Sequence, residues 1–526
     1  MDEELAFREI ISRIISLPPG DNAIVAVKID VCRKYHLSSV PKNSAILAAA
    51  TKQEHEALRK ILLVKPSRTL SGVAPVAVMT SPYPCPHGKC LPCPGGPDHP
   101  FHSPQSYTGE EPAAKRAREH NYNPFAQVHA RLEQFEILGH RVEKVELIVM
   151  GGTMTARPAE YQDEFVARCI EAMNLYPDEN FAAQAHPFAT VEADNETSDI
   201  RCVAITFETR PDWSRREHIM RMLDLGVTKV ELGVQHVNDE ILAFNRRGCT
   251  VADTVEANRL LRDAGIKVGF HMMPNLPHST LESDKEMFET IFSDPRFKPD
   301  FLKIYPTLVT PGSEIEDLWK RGEYMPYDED SLIKLIAYAK SLIPEYTRLS
   351  RIQRDIPAKL IVAGSRHSNF RQLAQNCLKA QGKHCRCIRC REIGRLPSVE
   401  ESEIRVLTYE CCGGTEHFIS AVSGDSLIGF ARLRFPSSVF CPELEGAAVL
   451  RELHVYGSLV PVGMDALEKE EWQHRNFGRI LLARAEEITT SAGYQRLAIM
   501  SGIGVRPYYR RQGYERKGPY MIKEMS

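Results

Sequence analysis

Apolar positions recur at helical spacing from the first residues of the chain. Leu5, Phe7, Ile10, Ile11, Ile14 and Ile15 form one stripe until Pro18-Pro19-Gly20 stops it. A second helix-rich stretch runs from Lys28 to Arg68, interrupted at Pro41. Residues 1–75 are therefore predicted as a small helical region. From residue 76 the pattern changes. Short apolar runs at Val76–Thr80, Lys144–Met150, Cys202–Thr206, Lys229–Gly233, Lys267–Met273 and Phe301–Tyr305 predict strands. Amphipathic stretches such as Tyr161–Leu175, Ser214–Leu225 and Val251–Ala264 predict helices between them. Repeated β-α units predict a parallel sheet over residues 76–375, closed or partly closed into a barrel, with functional residues at the C-terminal ends of its strands. A connector over residues 376–400 follows. Residues 401–526 carry short antiparallel-looking strands, one helix at Phe477–Ala492 and further strand, a separate α+β domain. The fold class is thus α/β, a partial barrel flanked by a helical N-terminal region and an α+β C-terminal domain.

Charge sharpens this picture. The 526 residues carry 66 Lys+Arg against 69 Asp+Glu, a net charge of -3, which excludes a uniformly basic nucleic-acid coat but not a local basic face. The first 80 residues are mildly basic, and residues 378–395 hold six Lys/Arg against one Glu. Both suit an RNA partner; the plainer reading is a solvated face. Apolar runs such as Val145–Met150, with its one Glu, are too short to span a bilayer, so no membrane association is expected. The start Met1-Asp2-Glu3-Glu4 is acidic where a secretory signal is basic, so a cytoplasmic location with reduced thiols is expected. That makes the 14 cysteines conspicuous.

Six of them fall in two tight groups, Cys85-x4-Cys90-x2-Cys93 and Cys385-x-Cys387-x2-Cys390. Such spacing in a reducing compartment points to metal or iron–sulfur ligation. The first group follows the first strand of the barrel. Three thiolates can hold three irons of a [4Fe–4S] cluster and leave the fourth open to the amino and carboxylate groups of S-adenosylmethionine. The alternative is a zinc site completed by His87 or His99. The next strand ends in Gly151-Gly152-Thr153, where glycine lets backbone approach a ligand. Later strands end in Glu208-Thr-Arg-Pro-Asp212, Glu231-Leu-Gly-Val-Gln235 and His271-Met-Met-Pro-Asn275. The second group has too little chain around it for a domain and is expected to hold a structural Zn2+. Cys377, His384, Cys411 and Cys412 are candidates for its fourth ligand.

In the C-terminal domain, Gln473-x-x-Asn476-x-Gly478 lies between a strand pattern ending at Gly457 and the helix that begins at Phe477. A helix N-terminus with free amides cradles pyrophosphate, and the GNAT acetyltransferases use Q/R-x-x-G-x-G/A here for coenzyme A. Asn in place of the first Gly is tolerable because Asn visits left-handed backbone. Beyond the next strand lies Tyr508-Tyr509, the expected catalytic pair by its resemblance to acetyltransferases, in which a tyrosine at this place sits beside the thioester sulfur and can protonate the departing thiolate.

Together, Cys85 to Asp98, Gln105-Ser-Tyr-Thr-Gly109, Met150-Gly-Gly-Thr153, Glu208 to Asp212, Arg451-Glu-Leu-His-Val-Tyr-Gly457 and Ser501-Gly-Ile-Gly-Val-Arg-Pro-Tyr-Tyr509 closely resemble the catalytic subunit of Elongator over nearly the whole chain. The first cysteine group is shorter than in eukaryotic members, which suggests a prokaryotic-type member acting without accessory Elongator subunits. The resemblance implies a radical-SAM β/α barrel joined to a GNAT domain. It implies an enzyme that forms a carboxymethyl group on C5 of the tRNA wobble uridine from acetyl-CoA and S-adenosylmethionine. Cys85, Cys90 and Cys93 would hold the [4Fe–4S] cluster, and a 5′-deoxyadenosyl radical would activate the acetyl methyl group. Gly151, Gly152 and Glu208 would face S-adenosylmethionine. Lys144, Glu452, Leu453, His454, Val455, Arg475, Asn476, Phe477, Gly478 and Tyr508 would contact acetyl-CoA. Arg386, Arg389, Arg391 and Arg395, with Lys379 and Lys383 and joined by Arg351 and Arg354, would meet phosphates of the tRNA anticodon stem-loop. A homodimer is left open. The competing reading is a protein lysine acetyltransferase with a structural cluster.

Overall fold

The apolar stripes of the N-terminal region close on one another in the computed structural model, which describes residues 2–17, 23–37, 39–62, 72–97, 101–180, 185–367, 369–393, 401–456 and 476–525. Helices Asp2–Ile15, Ile24–Lys34, Asn43–Ala48 and Lys52–Leu62 bury Ile10, Ile11, Ile14, Val31, Ile46 and Leu58 in a core of their own. Pro18, Pro19 and Gly20 lie outside the described residues.

The second unit is a seven-stranded sheet whose neighbours follow chain order: β1 (Ala74–Met79), β2 (Lys144–Met150), β3 (Arg201–Thr209), β4 (Lys229–Gln235), β5 (Lys267–Met272), β6 (Phe301–Ile304) and β7 (Arg348–Ile352). Every pairing is parallel, and β1 and β7 are the two edges, so the barrel is a half barrel. Residues show why one face stays open. Along β2, Val145, Leu147 and Val149 are fully buried under helices, while Glu146, Ile148 and Met150 between them are only half-buried. A parallel sheet covered on both faces reads as a continuous apolar run; this alternation marks the inner face as the wall of a trough. Helices Pro112–Glu119 and Pro124–Ile137, each with proline in its first turn, follow β1 and pack on it.

The C-terminal unit is a mixed sheet in the order β13-β14-β12-β11-β10-β9-β8, built from β8 (Glu403–Cys411), β9 (Gly414–Ser423), β10 (Ser426–Phe435), β11 (Ala447–Val455), β12 (Arg496–Met500), β13 (Glu515–Lys517) and β14 (Tyr520–Glu524). Only β11 and β12 run parallel, and the helix Phe477–Ser491 lies between them in the chain. Cys412 and Gly413, at φ 52° and 74°, form the two-residue turn of the β8–β9 hairpin.

The two sheets dock through close backbone and buried charge. A side chain at Gly502 would place its Cβ 1.9 Å from the Val203 carbonyl oxygen on β3, so only glycine fits. Below β5 and β6, Arg262, Arg432, Arg434 and Arg451 meet Asp263, Asp300, Glu416 and Glu452 in one network, seven of these side chains no more than 1% exposed and Glu452 12%. No helix among the described residues is long and apolar enough to cross a membrane.

Candidate functional site

The strand ends and the loop after β1 converge on one cavity of about 890 Å³, lined among others by Cys85, Cys90, Cys93, Glu208, His271 and Lys303. A volume near the top of the range for ligand pockets leaves room for more than one ligand. Burial pushes the Cys85 thiol up to about 11 and raises Cys93 as well. Thiols that resist ionisation alone are ones a bound cation must deprotonate. Each sulfur also has a polar neighbour: Thr153 Oγ1 at 3.8 Å from Cys85, His87 Nε2 at 3.0 Å from Cys90 and Gln105 Nε2 at 3.1 Å from Cys93. His87 accepts from Arg210 at Nδ1, at 2.6 Å, and burial, with Arg210 and Arg247, pulls its pKa down to about 3. Its Nε2–H therefore donates to Cys90, and the imidazole serves the thiols as a donor rather than as a zinc ligand. Three cysteines with donors to their sulfurs fit a [4Fe–4S] cluster with one open iron. His99 lies outside the described residues.

Gly151 and Gly152, at φ 119° and 99°, form the turn after β2 beside this loop. A Cβ on Gly151 would sit 2.3 Å from Thr80 Oγ1, so the approach requires glycine. Glu208 accepts from Tyr107 Oη at 2.6 Å and pairs with Lys303 at 3.6 Å. Lys303 also pairs with Glu231, which takes Lys229 at 3.0 Å and His271 Nε2 at 3.1 Å. Glu208, Glu231 and His271 gather within 4.8 Å, close enough for a metal ion, yet the Lys303 ammonium pairs with both carboxylates there. The trio is an ion-paired wall of the cavity. Glu231 and His271 are visible as polar strand ends; Lys303 is missed by the sequence reading, its signal being the lone charge in the run Phe301-Leu-Lys-Ile304.

The residues expected to contact acetyl-CoA lie apart from the cysteine loop, one at the start of β2 and the rest on the C-terminal unit. Lys144 opens β2 opposite Arg201, and Arg201 abuts Gly504 of the C-terminal unit; burial first, then Arg201, lowers the Lys144 pKa. Glu452, Leu453, His454 and Val455 end β11. Asn476 caps the following helix in the left-handed conformation, φ 57° and ψ 19°. Phe477 is buried beneath it, and a Cβ on Gly478 would lie 3.2 Å from Tyr508 Oη. Tyr508 thus stands over that helix start, half-buried. Tyr509, expected as its catalytic companion, is instead packed in the sheet core against Tyr514 and offers no face to a ligand. Gln473 and Arg475 lie outside the described residues.

Cys385, Cys387 and Cys390 close within 4.8 Å of one another, a spacing that one tetrahedral ion with metal–sulfur bonds of about 2.3 Å can span. Cys411 and Cys412 are not with them; they hydrogen-bond Phe297 and Arg296 at the domain junction, which removes both as fourth ligands. The connector arginines are also partly committed. Arg391 is buried and, with Arg386, binds Glu345, while Arg389 donates to the Ser350 carbonyl. Lys379 and Lys383 are exposed, and Arg395 lies outside the described residues.

The Radical SAM superfamily model matches residues 82–291, its C-terminal domain model residues 299–380, and the ELP3 N-terminal domain model residues 3–70. A tRNA uridine(34) acetyltransferase of Methanocaldococcus jannaschii is 48% identical over 506 residues, which cover 94% of this chain and 92% of that relative. Elongator complex protein 3 of Homo sapiens is 42% identical over 517 residues, 94% of this chain and 92% of the relative. The solved structure of archaeal Methanocaldococcus infernus Elp3 with residues 1–46 deleted is similar with a TM-score of 0.75 and 43% identity, covering 87% of this chain and all of that one.

Proposed function

This chain belongs to the Elongator complex protein 3 family, and from that membership we propose that it is a tRNA uridine(34)-modifying acetyltransferase that builds a carboxymethyl group on C5 of the wobble uridine. The observation that carries the reading is the pairing, in one docked molecule, of a three-cysteine loop at one end of the half barrel with an acyl-type helix start and Tyr508 at the other. When bound, the cluster and S-adenosylmethionine supply a 5′-deoxyadenosyl radical able to activate the acetyl methyl group for addition to uridine. Cys85, Cys90 and Cys93 hold the cluster, and the Gly151-Gly152 turn and Glu208 face S-adenosylmethionine. Asn476, Phe477 and Gly478 present free helix amides to the coenzyme A pyrophosphate. Lys144 and the end of β11 bound the same end of the trough. Cys385, Cys387 and Cys390 hold a structural Zn2+ that stiffens the connector.

Burial raises the Tyr508 hydroxyl above its usual range, so it is protonated at neutral pH and able to donate to a leaving thiolate. Tyr508→Phe is expected to slow acetyl-CoA hydrolysis by roughly 100-fold, the lower end of general-acid contributions, while tRNA affinity changes little. Release of free coenzyme A checks it, and an unchanged rate removes this tyrosine from the chemistry.

The whole reading is tested by anaerobic incubation of tRNA with acetyl-CoA, S-adenosylmethionine and dithionite. Production of 5′-deoxyadenosine together with carboxymethylated uridine is expected. Acetylated protein without cleavage of S-adenosylmethionine would favour a lysine acetyltransferase instead.

A further inference from the structure

Fixed N–H donors converge on one of the three cysteines of the first group. His87 Nε2 lies 3.0 Å from the Cys90 sulfur and Arg247 Nη1 lies 3.7 Å from it. Cys85 and Cys93 have neutral side-chain neighbours, the Thr153 hydroxyl at 3.8 Å and the Gln105 amide at 3.1 Å. Both donors to Cys90 are held in place. A guanidinium can only donate, so Arg210 Nη1, 2.6 Å from His87 Nδ1, leaves that nitrogen no proton and puts the ring N–H at Nε2, toward the sulfur. Arg210 is itself locked. Its Nε and Nη2 donate to the Asp212 carboxylate at 2.9 and 3.0 Å, and its Nη1 also donates to the Arg247 carbonyl at 2.8 Å. Arg247 is anchored in turn through Nη2 on the Gly233 carbonyl. Behind the imidazole, a Cβ on Gly248, at φ 64°, would lie 2.7 Å from His87 Cβ, so only glycine allows this approach. The Asn245 carbonyl accepts from the Leu91 amide, next to Cys90, at 3.2 Å. Residues 245–248 thus set both donors against a single sulfur.

The reduction potential of an iron–sulfur cluster follows its net charge and the hydrogen bonds to its sulfurs. Three thiolates give the cluster a net negative charge, and one further electron increases it. An N–H donor and a cation beside a ligand sulfur stabilise that added charge, and more strongly where water is excluded. Asp212 neutralises Arg210. Arg247 has no carboxylate partner among the described residues, so its charge is left to the sulfur it faces. We propose that His87 and Arg247 set the reduction potential of the cluster through Cys90, raising it toward the reach of a one-electron donor. Both act through the ligand sulfur and are positioning residues, with Arg210 fixing the tautomer of His87. This rests on the cluster reading of the preceding subsection and adds the groups that tune it.

The test uses the full chain with iron and sulfide reconstituted anaerobically, in the absence of S-adenosylmethionine, so that no turnover enters the reading. Dithionite supplies one electron per cluster at set potentials. The paramagnetic resonance of the reduced cluster gives the midpoint, and iron per chain is measured on the same sample. His87→Leu should make reduction about tenfold less favourable, a downward shift of about 59 mV for one electron. Arg247→Met should shift it in the same direction by a similar amount. His87→Gln, whose amide can donate, should recover part of the loss. After exchange into heavy water, a deuteron coupled to the reduced cluster should be seen in the unaltered protein and be weakened in His87→Leu, which a purely structural role would not produce. Midpoints that stay within about twofold in the reduction equilibrium in both His87→Leu and Arg247→Met, with iron intact, would overturn the proposal while the cluster reading stands. Loss of iron from both variants would overturn it as well, since the two residues would then be supports of the ligand loop. An unaltered chain that takes up no iron would overturn both readings.

Discussion

Replacing Cys90 by Ser is expected to abolish the iron–sulfur absorbance and carboxymethyl formation while the C-terminal domain stays folded. A serine hydroxyl ionises far less readily than a thiol, and only three cysteines are available at this site, so two remain for a cluster that needs three. The neighbours deepen the loss. His87 Nε2 at 3.0 Å and Arg247 Nη1 at 3.7 Å are both arranged toward the Cys90 sulfur. Arg247 has no carboxylate partner among the described residues and is held above its usual pKa, against burial, by Cys90 before any other group. Removing that sulfur takes away the first of the three thiols, Cys90, Cys249 and Cys85, that offset the burial of this guanidinium. The C-terminal sheet is insulated, because its core of Phe418, Ile419, Phe430, Leu481 and Ile499 is separate from the cysteine loop. Iron and sulfide per chain, visible absorbance, and acetyl-CoA hydrolysis on the same preparation check the claim. A Cys90→Ser protein that keeps a full complement of iron, or still modifies tRNA, would show the ligand assignment to be wrong.

How far the chain could be read in advance depended on whether a signal was local. β2 occupies the predicted Lys144–Met150 because its alternation is complete within seven residues. Asn476 could be placed in left-handed backbone because the motif sits against its own helix. β7, Arg348-Leu-Ser-Arg-Ile352, was not anticipated. Its polar residues look like loop until Arg351 is seen to line the cavity and Arg348 to reach Glu392 and Tyr456 across the junction. Glu208 and Glu231 stood out as strand ends, but the lysine that ties them together lies 72 residues beyond Glu231, and nothing at that separation marks the pair. Tyr509 misled for the opposite reason. It is adjacent to Tyr508, and one step along a helix turns a side chain by about 100°, here from beside Gly478 into the core. Local spacing thus placed residues on their elements, and tertiary packing decided which of them face the cavity and which the core.

Asp300→Asn should be the most damaging single change away from the cavity, although Asp300 touches no ligand. Its carboxylate accepts from Arg451 Nη1 and Nη2, both at 2.8 Å, from Arg262 Nη1 at 3.2 Å and from the Val268 amide at 2.9 Å. Arg432 Nη1 lies 3.4 Å from the same carboxylate. The surrounding network holds four arginines and four carboxylates and is almost wholly buried, so its charge balances only as a set. The substitution keeps shape and removes one negative charge, leaving Arg262, Arg432 and Arg451 to share Glu416 and Glu452. Breaking a buried pair in this way costs about 3–5 kcal/mol, a large part of the roughly 5–15 kcal/mol that holds a domain together. The thermal midpoint should fall by roughly 10 °C, and because Arg451 and Arg432 belong to the C-terminal sheet while Arg262 and Asp300 belong to the barrel, acetyl-CoA and tRNA chemistry should uncouple before either sheet unfolds. Removing the partner as well, in Asp300→Asn with Arg451→Met, should cost less than the sum of the two single changes, since the stranded guanidinium goes with it. The pH dependence follows from the same charges. Burial pushes the Asp300 carboxyl up, but Arg262, Arg451 and Arg432 together hold it well below the usual range. A group whose folded pKa is depressed contributes its stability above the unfolded value of about 4 and loses it as pH falls toward the folded one. The gap in midpoint between the unaltered protein and Asp300→Asn should therefore stay constant from neutral pH down to about 5 and narrow only in stronger acid. A variant that melts within about 2 °C of the unaltered protein, or a gap that closes already near neutral pH, would mean that the junction is held by apolar and backbone contact around Gly502 rather than by this charge.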